Sequence, residues 1–108
     1  MKLLELEPHW LMITSPTTFR WNSRKKMPKS TDGIIFLCPK CYGEIGKIGC
    51  HSVICWRPHV PQTMDPKPGR WEFEGGTLDN LTLVAGSSSI LLTSGCMAHF
   101  FICNGEIT

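Results

Sequence analysis

The chain has 108 residues, six cysteines and a formal net charge of +2. That length suits one domain with a modest core, which benefits from a metal or disulfide staple, and the near-balanced charge gives no global pull toward nucleic acid. The apolar start "MKLLELEPHWLMI" is broken by Glu5, Glu7 and Pro8 and lacks a small-residue cleavage site. It makes a poor signal peptide, so a cytoplasmic chain with reduced thiols is expected rather than a disulfide framework.

In chain order, residues 3–14 predict a short strand and residues 15–33 a polar loop. "IIFLC" (34–38) predicts a strand running into "CPKC", and "SVICW" a second strand. Residues 57–69 carry four prolines and predict a surface loop or lid, which could border a substrate groove. In "RWEFEG", Trp71 and Phe73 alternate with charged residues, as in a half-buried strand. "NLTLVAG", "SSILLTSG" and "AHFFICNG" add short strands split by glycine turns. From Asn80 to Gly105 there is no Asp, Glu, Lys or Arg, yet the polar and glycine positions argue against a lipid-facing helix. The expectation is an all-β fold, a small antiparallel sheet or barrel-like domain with a structural zinc. It forms a single domain over 1–108, with an N-terminal strand and polar loop at 1–33 and a zinc-containing β core at 34–107.

Two thiols separated by two residues can share a tetrahedral zinc, and Pro39 favours the turn that aims both inward. Cys38 and Cys41 form such a pair. Cys96 and His99 repeat the same gap. The expected ligands are Cys38, Cys41, Cys96 and Cys55, with Cys50, His51 and His99 as alternatives for the fourth position. A redox dithiol is disfavoured because no βαβ unit surrounds the motif.

Hydrolysis needs a nucleophile, a base and a group to orient the base. A hairpin of 89–93 with 98–103 would bring Ser89 near His99, with Ser87 and Ser88 as alternative nucleophiles. Asp79 is the expected orienter, Glu72 and Glu74 the alternatives. A zinc-activated water is the second enzymatic option. The basic run "FRWNSRKKMPK", with Phe19 and Trp21, could hold single-stranded nucleic acid, but is expected to be a solvated loop. No membrane partner is expected.

The order "FLCPKC", "RWEFEGGTLDNLTL", a Ser-Ile pair, then "HFFICNGEI" resembles the bacterial and phage family known as domain of unknown function 6527. The likeness spans residues 34–107 and falls on Cys38, Cys41, Trp71, Thr82, Leu83, Ser89, Ile90 and His99. Where that family has "TLxPSI", this chain has the longer, proline-free "TLVAGSSSI". The resemblance implies a place beside bacterial ubiquitin-like conjugation genes. The expected function is therefore a zinc-stabilised serine-type peptidase that processes or deconjugates a ubiquitin-like protein. The alternative is a non-catalytic zinc-binding interaction module of a phage or defence system.

Overall fold

The apolar residues of β1 (His9–Ser15) leave the strand on both sides, and this decides the architecture. Trp10 and Met12 join a main core, while Leu11 and Ile13 join a smaller one, as a period of two requires. The computed structural model describes residues 1–46, 50–61, 63–64, 70–84, 89–91 and 99–108, with the backbone alone at 89–91 and 99.

Around β1 lies a four-stranded antiparallel sheet of order β2-β1-β3-β4, with β2 Thr18–Asn22, β3 Gly33–Leu37 and β4 Ser52–Trp56. β2 falls inside the expected polar loop. It is an exposed edge strand, so its only apolar signal is Phe19 and Trp21 alternating with Arg20. Phe19 meets Trp56 edge-on at 5.9 Å, and Trp21 lies 5.7 Å from the His9 ring. Gly33 permits a close approach of two strands: a Cβ there would lie 2.5 Å from Cε3 of Trp56.

Residues 3–6 are a short 3-10 helix, where a strand was expected. Three residues per turn put Leu3 and Leu6 on one side, and both are fully buried. α1 (Pro39–Ile45) links β3 to β4. β5 (Glu72–Glu74) pairs with β6 (Thr82–Val84), burying Phe73 and exposing both glutamates as the alternation predicts. β7 (Ser89–Leu91), β8 (His99–Cys103) and β9 (Glu106–Ile107) form a third antiparallel ladder. Asn104 and Gly105, both with positive φ, make the two-residue turn before β9, the conformation an Asn-Gly hairpin favours.

The chain is thus mostly strands in antiparallel sheets with little helix. None of the three sheets closes into a barrel among the described residues, which corrects the barrel-like expectation. Phe36 of the first sheet meets Phe100 of the third in a T-shaped contact at 6.1 Å. Such a pair adds about 0.5–1.5 kcal/mol beyond its area burial. No described helix is long and apolar enough to cross a membrane.

The described part of the proline-rich loop is fastened to the sheet. Arg70 donates to the carbonyls of Val60, Pro61 and Met64 at 3.0, 2.7 and 2.9 Å. Asp32 holds the other side, accepting from the Ile13 N–H at 2.7 Å and meeting His59 Nε2 at 2.6 Å. Between this loop and the β1–β2 turn lies a cavity of about 360 Å³, lined by Ile13, Ser15, Pro61 and Met64 among others.

Candidate functional site

The β3–β4 ladder ends at Leu37 opposite Ser52, and the Cys38 N–H bonds the His51 carbonyl at 2.9 Å, extending the pairing by one residue. Cys38 and His51 therefore stand opposite each other, in the same phase of the pleat as Phe36 and Val53. Pro39 then opens α1, with Cys38 as its N-cap. Proline suits that first helical position, where its missing N–H costs nothing. One turn later the chain brings Cys41 back over Cys38. The two sulfurs and a His51 ring nitrogen lie within 4.8 Å of one another.

A tetrahedral zinc with bonds of about 2.3 Å to sulfur holds its ligands roughly 3.5–3.8 Å apart. Small side-chain adjustments would bring the three atoms, now within 4.8 Å of one another, to that spacing. Thiolates and imidazole are the donors zinc prefers, so the residues fit the ion. Burial is graded across the group: Cys38 is buried, Cys41 half-buried and His51 exposed, so the site opens to the surface at His51. The CxxC does open a helix, but β3 and β4 are antiparallel neighbours, not the parallel pair of a βαβ unit.

Cys55 lies elsewhere. It stands opposite Ile34 in β4, fully buried in the main core, and is not one of the three converging groups. Four residues of strand separate it from His51, roughly 13 Å at 3.3 Å per residue. Burial pushes its thiol up, favouring the protonated form. Cys96, Ser87 and Ser88 lie outside the described residues.

Of the anticipated pairing of 89–93 with 98–103, the third sheet contains 89–91 against 99–101; residues 92, 93 and 98 lie outside the described residues. Ser89 stands opposite Phe101, and Leu91 opposite His99. Ser89 and His99 are thus diagonal positions on one face of the ladder, a placement with backbones roughly 7–8 Å apart. Asp79 is not brought to them. Its carboxylate pairs with Lys25, and its carbonyl lies against Gly105, beyond the far end of β8. From His99 to Cys103 the strand alone spans roughly 13 Å. Glu72 and Glu74 lie opposite Val84 and Thr82 on β5.

His51 stood only among the alternatives because its signal is not a spacing but a register. Counting forward along β3 and back along β4 from Ile34 opposite Cys55 places residue 51 opposite residue 38. The Asp32–His59 pair had no signal, since its partners lie 27 residues apart on different segments. The chain matches no protein-family model, no curated protein and no solved structure.

Proposed function

We propose that this protein is a zinc-stapled, serine-type hydrolase acting on a protein substrate, with the ion structural and the chemistry carried by Ser89 and His99. The observation that carries the reading is the convergence of Cys38, Cys41 and His51 from one β3–α1–β4 hairpin. A site supplied so locally has three ligands without drawing on His99, which leaves that residue for acid–base work. Ser89 and His99 then occupy diagonal positions of a single ladder. In the proposed step the Ser89 Oγ attacks the scissile carbonyl while His99 takes its proton. The same proton passes to the departing amine, and water hydrolyses the acyl ester.

Among the described residues β7 is an edge strand of its sheet, so an extended tail can add alongside it and present a peptide carbonyl at Ser89. A ubiquitin-like modifier with an extended C-terminal tail is the substrate that the family resemblance suggests. An active-site serine probe is expected to label the wild type and spare Ser89→Ala, with zinc content and melting temperature unchanged. Turnover of a tail-derived peptide should fall about 10⁴-fold or more, as when a catalytic serine is removed elsewhere. Equal labelling of both proteins would reassign the nucleophile.

One observation favours the rival, a non-catalytic zinc-binding interaction module. The edge strand β2 displays Trp21, 64% exposed, beside Phe19, an aromatic surface suited to a partner. That reading is expected to hold if the wild type binds zinc, folds and takes up no probe.

A further inference from the structure

Three protein ligands leave one position of a tetrahedral zinc open. Thiolate-rich zinc sites are closed and structural, whereas open ones keep a water for chemistry. Cys50 adjoins the group without belonging to it. Its thiol donates to the Cys38 carbonyl at 3.4 Å and to the His51 carbonyl at 3.5 Å, so its sulfur touches the backbone of two of the three ligands. It is half-buried and packs on the main core together with Cys41 and Tyr42.

We infer that Cys50 is the fourth ligand, closing the Cys38–Cys41–His51 group into a Cys3His centre. This rests on the metal reading above and goes beyond it by excluding a zinc-bound water. Its thiol contacts with carbonyls are long and weak, so they hold it in place without competing strongly with an ion. A step to a neighbouring staggered rotamer moves a cysteine sulfur by roughly 3 Å. On binding, the Cys50 S–H loses its proton to solvent and the sulfur donates an electron pair to the ion, with no change of oxidation state. Being next to His51, it closes the site on the side where the group is exposed.

Cobalt(II) titration of the full chain tests this, because the near-ultraviolet charge-transfer intensity scales with the number of bound thiolates. Three thiolates are expected in the wild type. Cys50→Ser and Cys50→Ala should each lose about a third of that intensity and bind cobalt at least 10-fold more weakly, a typical penalty for disturbing a metal site. Either variant should also acquire a site for added imidazole that the wild type lacks. Cys96→Ser should match the wild type. If both Cys50 variants keep full intensity and affinity, or if Cys96→Ser loses a third, the assignment is overturned while the metal site stands. If the wild type takes up no cobalt, the metal reading and this assignment fall together.

Discussion

On the proposed metal reading, replacing Cys38 by serine is expected to abolish zinc binding and to cost several kcal/mol of stability in one step. Cys38 sits where β3 becomes α1. Its N–H bonds His51, its carbonyl accepts from the Tyr42 N–H, and its side chain is fully buried. A zinc bound there would fasten a strand end, a helix start and the return strand together. In zinc-finger peptides such binding contributes about 10–16 kcal/mol, all of it expressed as folding. Here a separate core exists, so a smaller loss of about 3–5 kcal/mol is expected, as for the loss of one buried partner. At about 4–8 °C per kcal/mol for a domain near this size, the melting temperature should fall by more than 10 °C. Elemental analysis and thermal unfolding, with and without chelator, measure both. A chelator should shift the wild type and leave Cys38→Ser unmoved. One zinc and an unshifted melting temperature in Cys38→Ser would remove the residue from the site.

Gly105→Ala should be nearly as damaging, for a different reason. Gly105 has φ of 76°, and a Cβ there would collide with the Asp79 carbonyl oxygen and lie 2.7 Å from its carbon. Both obstacles are backbone, so the turn at 77–80 must move. That turn is bound in, since the Gly105 N–H donates to Leu81 and its carbonyl accepts from Leu3. Left-handed strain costs about 1–2 kcal/mol for an alanine, and the displaced backbone should bring the total to about 3–5 kcal/mol, within the large-effect range. Urea unfolding measures it. Gly43→Ala is the contrast: it is helical, with nothing within 4 Å of its added methyl. It should gain up to about 1 kcal/mol. Equal effects at the two glycines would refute the steric account.

The strands buried on at least one face were legible in the sequence, because burial imposes a pattern. β3, β4 and β5 stand where alternation or an apolar run placed them. β2 was hidden because an edge strand buries little, and α1 because seven residues containing a glycine fall below the length at which a helix declares itself. In the site, the spacing of Cys38 and Cys41 was enough to pair them. His51 required the strand register, which no spacing rule contains. Asp79 is the acidic residue that most closely precedes β7 in sequence, but the antiparallel course of β8 carries His99 away from it.

The joining of the two ends has a kinetic consequence. The Leu3 N–H bonds Gly105, the Ile107 N–H bonds Met1, and Lys2 pairs with Glu106 at 3.4 Å. Joining residues about 100 apart carries a loop-closure cost that contacts nearer in sequence avoid, so this seam is expected to form after the sheets have drawn its halves together. Contacts absent from the folding transition state slow unfolding and leave folding unchanged. The lifetime of the native state, as distinct from its speed of formation, is therefore expected to depend in part on this seam, where Leu3 is buried beside its bond to Gly105.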